Sequence, residues 1–305
     1  MRIVTLLPAA TEIVAALGID PVGVSHECDY PPGVADAPVI THSRIDQSAS
    51  SAQIDEQVLE AERAGGVYAI DLDALARADP DLVVTQGVCD VCAVDHVLVE
   101  DAVDELGLDC EILTTDSHRL EDVFEDVRRV GAAVGRRDGA EELVADLRAR
   151  VEWVRGRAET VDSTPRVAVL DWMDPVMVAG HWIPDLVTAA GGSYGLVEPG
   201  ARARPREFAE LREYDPQVIV VAPCGFGLED TEDRLAELTE RPGWDELTAV
   251  REGRVSLLDG NQYANRPGPR LVETLEYLAW AIHPERFEKP PDAARRQAPD
   301  ATAEP

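Results

Sequence analysis

The stretch ADPDLVVTQ at residues 78–86 recurs in a second version, YDPQVIVVA, at residues 214–222. In each copy an Asp-Pro pair ends a helix, because the proline ring disfavours helical geometry in the residue before it. The β-branched run that follows is typical of a buried strand. Each strand leads into a loop of small or polar residues, and open α/β sheets bind ligands beyond the carboxyl ends of their strands. The repeat therefore predicts two similar lobes that hold a ligand between them.

Strands and helices alternate through both halves of the chain. This pattern is typical of largely parallel sheets covered by helices, and it predicts an α/β fold of two Rossmann-like lobes. In the first half we expect further strands at 2–7, 21–24 and 110–113, helices at 11–17, 54–64, 72–78 and 95–106, and a polar loop at 25–51. In the second half we expect strands at 166–171 and 254–258, and helices at 183–190, 230–239 and 270–282.

Two amphipathic segments separate the halves. Apolar residues recur at helical spacing from 120 to 130 and again from 143 to 154, around a glycine-containing break at 135–139. The second segment predicts a helix at 140–159, about 30 Å long, that joins the lobes and limits them to small rocking motions. The expected organisation is an N-terminal lobe at 1–118, a helical segment at 119–162, a C-terminal lobe at 163–288 and a disordered tail at 289–305.

The chain is strongly acidic. Its 305 residues include 59 Asp and Glu against 28 Lys and Arg, which gives a formal net charge of -31. A surface of this charge repels nucleic acids and anionic lipids, so neither is an expected partner. The carboxylates also repel one another unless salt screens them. The composition thus favours a halophilic protein over a merely acidic mesophilic one.

The apolar start of the chain predicts a strand and a helix rather than a secretion signal. Pro8 and Glu12 interrupt the apolar run, and one basic residue precedes it. The sequence has no stretch apolar enough to cross a membrane. As given, it therefore predicts a cytoplasmic protein. If the true start lies upstream, the alternative is an extracellular or membrane-associated one.

Several motifs of nucleotide-dependent and metal-dependent enzymes are absent from the sequence. It has no P-loop, no H-E-x-x-H and no G-x-G-x-x-G after a strand. We therefore expect no enzymatic activity and no nucleotide cofactor.

Three ordered motifs carry a resemblance to a known family. They are RIVTLLPAATE at residues 2–12, VGVSHECDYPP at 22–32 and NRPGPR at 265–270. Together with the long helix they resemble the helical-backbone class of ABC-transporter substrate-binding proteins. The sequence is most similar to the vitamin B12 (cobalamin) binding proteins, with ferric-siderophore binding proteins as cousins. The resemblance implies a class III periplasmic-binding-protein-like fold that holds a corrinoid or another metal chelate and passes it to an ABC permease. We expect a monomer.

The resemblance implies cobalamin as a bound ligand and not as a catalytic cofactor. In the family, aromatic residues flank the corrin ring, and not all of them recur in this sequence. The matching positions hold Glu27, Gln86 and Met177. An aromatic is expected where Tyr263 stands, and Arg266 matches a polar contact. With the residues of the predicted strand-end loops, the candidate ligand-binding set is Pro8, Ala9, Ala10, His26, Glu27, Tyr30, Gln86, Trp172, Met177, Trp182, Phe226, Tyr263 and Arg266.

Some of these candidates have a second, structural explanation. The helix near Pro8 offers backbone amides to ligand oxygens, but the same residues fit simple capping. His26 offers a nitrogen to cobalt or iron, or a hydrogen bond to a chelate's amide rim, unless it only packs. Trp182 offers a flat face or fills the lobe core. Arg266 either binds ligand oxygens or ties its loop to nearby carboxylates.

Cys89 and Cys92 form a close cysteine pair. One C-x-x-C supplies two ligands, whereas structural zinc takes four. Cys28 and Cys224 lie in other loops of the predicted cleft, so the four thiols together are a candidate thiol site. The alternatives are a redox-sensitive disulfide between Cys89 and Cys92, or inert side chains.

The leading hypothesis is a two-lobed corrinoid-binding protein that acts with an ABC importer or in intracellular corrinoid handling. A ferric-siderophore binder on the same fold would need a basic cleft, for which the candidates are Arg44, Arg202, Arg204 and Arg266. From another class, a bilobal tetrapyrrole metal chelatase would use His26 and His181 to insert a metal.

The net charge of -31 generates a prediction about salt. Screening should relieve the repulsion between carboxylates, because the Debye length falls to roughly 3 Å at about 1 M salt. We expect the thermal midpoint of unfolding to rise between about 0.1 and about 3 M KCl. A flat or falling midpoint would contradict halophilic adaptation.

Overall fold

The computed structural model describes residues 1–63, 66–88, 94, 96–288, 290 and 294–296. Contacts between residues divide the chain into two compact units. Unit 1 comprises Met1–Asp146 and Pro267–Pro269, and unit 2 comprises Leu147–Arg266 and the described residues from Arg270 onward. Each unit contains a sheet with a parallel centre, so the predicted α/β fold class is confirmed.

Unit 1 is built on a parallel sheet. Its strands are β1 (Ile3–Thr5), β2 (Gly23–Val24), β3 (Thr41–Ser43), β4 (Tyr68–Ile70), β5 (Leu82–Gln86) and β6 (Glu111–Thr115). Four of them pair in parallel in the order β2-β1-β5-β6, and β3 pairs antiparallel with β4. The helices are α1 (Pro8–Ala16), α2 (Ser51–Arg63), α3 (Leu72–Ala78), α4 (His96–Leu106) and α5 (Leu120–Ala133), with α6 (Arg137–Ala158) beginning here.

Unit 2 has a six-stranded sheet with a parallel centre. Its strands are β7 (Val167–Trp172), β8 (Met177–Val178), β9 (Arg204–Pro205), β10 (Val218–Val221), β11 (Val255–Leu258) and β12 (Ala294–Arg296), in the order β12-β11-β10-β7-β8-β9. The pairs β11-β10 and β10-β7 are parallel, and the other pairs are antiparallel. Its helices are α7 (Ile183–Ala189), α8 (Phe208–Tyr214), α9 (Leu228–Asp233), α10 (Ala236–Thr239), α11 (Thr248–Arg251) and α12 (Leu271–Ile282).

The repeated stretch forms the same structure in both units. Helices α3 and α8 each end at an aspartate in the left-handed region, Asp79 with φ 42° and Asp215 with φ 46°. Arg2 donates from Nε to the carbonyl oxygens of the last α3 residue (2.8 Å) and of Asp79 (3.0 Å). Arg166 makes the same contacts with the last α8 residue (2.9 Å) and Asp215 (3.0 Å). These guanidinium groups satisfy helix-end carbonyls that the left-handed turn leaves unpaired.

The long helix α6 is present and begins three residues before the predicted start. The division between the units falls inside it, between Asp146 and Leu147. Its first turn follows α5 closely, because a side chain at Gly131 would lie 2.4 Å from the Cβ of Ala140. Only a glycine permits this approach.

Other element boundaries differ from the sequence prediction. Helix α1 starts at Pro8 and not at residue 11, because proline suits the first helical position. The expected polar loop at 25–51 contains a 3₁₀ turn, Pro32–Asp36, and the strand β3. The expected helix at 230–239 is divided into α9 and α10.

The tail prediction is wrong for Ala294–Arg296. These residues pair antiparallel with β11, where the sheet edge offers unpaired backbone groups. The remainder of the predicted tail, apart from Pro290, lies outside the described residues. Among the helices of the described segments, none combines the length and the apolar character that a membrane crossing requires.

The contact between Arg166 and the α8 terminus generates a stability prediction. Arg166→Met should lower the free energy of unfolding by about 1 kcal/mol, because it leaves two carbonyls without a charged donor at a partly exposed site. Chemical denaturation provides the measurement. The control is Arg155→Met, which removes an exposed ion pair within α6 and should change little. Equal effects of the two substitutions would contradict the prediction.

Candidate functional site

The carboxyl ends of the parallel strands gather most of the candidate residues in each unit. In unit 1, β1 leads through Leu7 into α1, whose residues Ala9 and Ala10 are 3% and 0% exposed. A side chain at Gly268 would lie 3.3 Å from the Ala9 backbone, so Pro267–Pro269 pack on this first turn. The contact favours a packing role for Ala9 and Ala10, while Pro8 stays half-buried.

The loop after β2 holds His26 in a polar network. Thr41 on β3 donates to the Ser25 hydroxyl (3.0 Å) and contacts Nδ1 of His26 at 2.8 Å. Because its own proton is directed to Ser25, the Thr41 hydroxyl is able to accept a hydrogen bond from Nδ1. The Nε2 atom of His26 lies 3.2 Å from Oε1 of Glu27, and the imidazole ring lies 5.3 Å from the ring of Tyr68. His26 is therefore positioned by β3 and β4, two strands that the sequence pattern did not predict.

Neighbouring candidates of the same loop differ in exposure. Glu27 accepts a hydrogen bond from Gln47 at 3.3 Å. Tyr30 is 43% exposed, whereas Cys28 is buried with its Sγ 3.0 Å from the Thr11 hydroxyl. Tyr30 thus remains accessible to a ligand, and the Cys28 thiol is part of the packing.

The residues that follow β6 are tied to α5 by a buried carboxylate, and the neighbouring strand β5 ends at a buried glutamine. Gln86 closes β5 at 6% exposure. Asp126 on α5 accepts from the Ser117 hydroxyl (2.7 Å) and from the Asp116 amide (3.0 Å). Burial raises the pKa of Asp126, although these hydrogen bonds and Arg129 act in the opposite direction. Sequence reasoning missed this residue, because an acidic side chain on an amphipathic helix is typical of a solvated face.

In unit 2 the loops after β10 and β11 interlock. A side chain at Gly260 would lie 2.1 Å from the carbonyl oxygen of Pro223. The amides of Gly260 and Asn261 both donate to the Phe226 carbonyl at 3.1 Å, and the Asn265 amide group donates to Ala222 at 3.3 Å. The two strand-end loops therefore form one rigid support.

Trp172 and Phe226 form an aromatic pair on this support. Their ring centroids lie 5.2 Å apart with an interplanar angle of 37°. Phe226 is 4% exposed, whereas Trp172 is half-buried. Met177 on β8 is the register partner of Trp172 on β7. Trp172 and Met177 thus present adjacent apolar surface, and Phe226 lies beneath it as a supporting residue.

Tyr263 and Arg266 belong to a π-helical turn, Gly260–Ala264, and to the residues after it. The Tyr263 and Tyr277 rings pack edge to face with centroids 5.0 Å apart, and the Arg270 guanidinium carbon lies 4.9 Å from the Tyr263 centroid. Burial raises the pKa of the Tyr277 hydroxyl, and its hydrogen bond with Tyr263 raises it further. Arg266 is 4% exposed and donates to the Asn261 side chain at 3.3 Å. This contact agrees with the loop-tying role of Arg266, because Asn261 belongs to the same loop.

Trp182 is hydrogen-bonded to the last residue of the π-helical turn Gly260–Ala264. It is 7% exposed, and its indole nitrogen donates to the Ala264 carbonyl at 2.9 Å. His181, with φ 50°, stacks on it at 5.5 Å. The structure therefore favours the core alternative for Trp182, because its one polar atom is satisfied inside the unit.

The candidate thiol site is only partly described. Cys89 and Cys92 lie outside the described residues. Cys224 is half-buried after β10, and its amide donates to the Asp171 carbonyl at 3.0 Å. Within the described ranges, no group of three His, Cys, Asp or Glu side chains is placed to hold a metal ion. The thiol site stays a prediction.

The stretch GGSYG at residues 191–195 matches the G-x-S-x-G pattern of serine hydrolases. In those enzymes the serine lies at a sharp turn from a strand into a helix. Here Ser193 follows α7 and bridges to Arg166, beside the amino end of β7. The required strand-to-helix turn is therefore not formed around Ser193.

A surface cavity of ≈ 410 Å³ lies elsewhere in unit 2, beside Arg212 and Asp215. Asp215 precedes β10, so this cavity is at the amino end of that strand. Ligands of open α/β sheets bind at the opposite edge, and we do not assign the cavity to the candidate site.

The interlocked loops generate a prediction for Gly260. Gly260→Ala should lower the free energy of unfolding by roughly 1–3 kcal/mol, because its Cβ would collide with backbone that no rotamer change can move. Gly156→Ala is the control, since nothing lies within 4 Å of its Cβ and it lies in a helix. That substitution should stabilise by about 0.5–1 kcal/mol. Denaturant titration of both variants measures the difference, and a tolerated Gly260→Ala would contradict the interlock.

Comparisons with known proteins cover nearly the whole chain. A family model described as "Periplasmic binding protein" matches residues 3–261. The uncharacterized ABC transporter substrate-binding lipoprotein YvrC of Bacillus subtilis (strain 168) is 23% identical over 295 residues, which cover 94% of this chain and 82% of that protein.

Two solved structures illustrate the similarity in fold. The apo form of the periplasmic heme-binding protein RhuT from Roseiflexus sp. RS-1 has a TM-score of 0.70 at 24% identity, covering 93% of this chain and 98% of that one. The periplasmic vitamin B12 binding protein BtuF of Vibrio cholerae has a TM-score of 0.65 at 17% identity, covering 92% and 96%. Similarity at these identities concerns the fold alone.

Proposed function

Because the chain belongs to the periplasmic binding protein family, we propose that it binds a tetrapyrrole-type metal chelate, cobalamin in the first instance, and delivers it to an ABC permease. The ligand is held without covalent change. The observation that carries the proposal is the apolar surface of Trp172 and Met177 at the carboxyl ends of the unit 2 strands.

This surface suits a flat ring system. An indole side chain buries about 150–250 Å² when covered, and ligand sites combine such apolar area with a few placed polar groups. Phe226 and the interlocked loops hold Trp172 from below. A planar macrocycle would contact a surface that needs little reordering, which favours affinity.

The similar proteins support the ligand class. RhuT is described as heme-binding and BtuF as vitamin B12 binding, and both of those ligands are metal-centred macrocycles. We name cobalamin before heme because the motifs at residues 2–12, 22–32 and 265–270 resemble those of the vitamin B12 binding proteins.

A titration tests this proposal. Wild-type protein in about 2 M KCl is titrated with cyanocobalamin, hemin and ferric ferrichrome, followed through the visible spectra and the tryptophan emission. We expect saturable binding of cyanocobalamin that is tighter than that of the other two. If only hemin binds, the proposed ligand becomes an iron porphyrin in place of cobalamin. If none of the three binds, the proposal is overturned.

Trp172→Ala locates the site. Loss of a stacked aromatic contact typically costs ~1–3 kcal/mol, so affinity for cyanocobalamin should fall about ten- to hundredfold. The matched control is Trp153→Ala, because Trp153 is 58% exposed on α6. Trp153→Ala should bind as the wild type does. Wild-type affinity in Trp172→Ala would move the ligand away from this surface.

A further inference from the structure

Two arginines from one segment reach the two aromatic rings of the candidate site. The segment spans α9, α10 and the residues that follow each helix. Arg234 follows α9, and its guanidinium carbon lies 4.6 Å from the centroid of the Phe226 ring. The Arg234 side chain is 16% exposed and Phe226 is 4% exposed. A cation over an aromatic ring is attracted more strongly where water is excluded, so this contact holds the Phe226 ring in its orientation.

Arg241 acts on the turn between β7 and β8. Its Nη2 donates to the Met173 carbonyl at 3.0 Å and to the Asp174 carboxylate at 2.8 Å. Its Nε donates to the Glu237 carbonyl at 2.8 Å, which anchors it to α10. The Asp174 carbonyl in turn accepts from the Trp172 indole nitrogen at 3.1 Å. Arg241 therefore holds the backbone at residues 173–174, and the Asp174 carbonyl in turn holds the Trp172 indole.

We propose that Arg234 and Arg241 are positioning residues that preorganise the Trp172–Phe226 pair for the ligand. This inference rests on the proposed function, since it assigns a specific origin to the affinity of that site. Neither arginine needs to touch the ligand. A tryptophan held in one orientation before binding loses less rotamer freedom on binding, and that difference is gained as affinity.

Both arginines contact the support of the aromatic pair. The Arg234 guanidinium lies over the Phe226 ring and also donates to the Asp230 carbonyl at 3.4 Å. Arg241 donates to the Met173 carbonyl and to the Asp174 carboxylate.

The experiment compares Arg234→Gln, Arg234→Lys and Arg241→Gln with Arg155→Gln, a control that loses an exposed ion pair on α6. The first readout needs no ligand. Acrylamide quenching is measured in each variant and in the same variant carrying Trp172→Phe, and the difference isolates Trp172 from the chain's five tryptophans. The second readout is the dissociation constant for cyanocobalamin in about 2 M KCl. Circular dichroism reports whether each variant is folded.

We expect Arg234→Gln and Arg241→Gln to increase the quenching of Trp172 and to weaken cyanocobalamin binding roughly three- to tenfold. Arg234→Lys should recover most of both effects, because it retains a cation, and this recovery would not be expected of a general packing defect. The inference is overturned if the glutamine variants match Arg155→Gln in either readout, or if lysine recovers nothing. If the wild type binds no chelate, the proposed function fails. If the glutamine variants leave the quenching of Trp172 unchanged, the positioning role fails whatever the wild type binds.

Discussion

The guanidinium contacts at the ends of α3 and α8 are a constraint that both units share. Arg2 precedes β1 and Arg166 precedes β7, and each binds carbonyls at the terminus of the helix that leads into the neighbouring central strand. Each contact therefore connects a strand start, a helix end and the start of the adjacent parallel strand. In unit 1 the carboxyl ends of β1 and β5 lie at one edge of the sheet, and in unit 2 the carboxyl ends of β7 and β10 do the same in their own sheet.

Arginine has a general role as a donor to backbone carbonyls in this chain. Besides the two repeat contacts, Arg241, Arg254 and Arg157 donate to main-chain oxygens. The planar guanidinium group suits this role, because several fixed donors can satisfy neighbouring acceptors at once. The chain's one lysine is Lys289, so arginine supplies nearly all of its basic groups. A few cations thereby stabilise helix and turn termini in a protein whose surface charge opposes compaction.

The two strand edges differ in chemistry. In unit 1 the edge presents hydroxyl, imidazole and carboxylate groups around His26, whereas in unit 2 it presents the indole and thioether of Trp172 and Met177. The resemblance to ABC-transporter substrate-binding proteins is confirmed by the family match over residues 3–261.

The sequence by itself determined the α/β class, the paired Asp-Pro stops and the long helix, because proline geometry and hydrophobic periodicity act between residues close in the chain. It also placed Trp172 and Met177 among the candidate ligand-binding residues. Only the tertiary structure decided that Trp182, Phe226 and Arg266 are buried, since burial depends on neighbours distant in sequence. The same holds for Thr41, because its strand β3 pairs with β4 across a polar stretch of the chain. It also holds for Arg234 and Arg241, whose partners Phe226 and Asp174 are distant from them in the sequence.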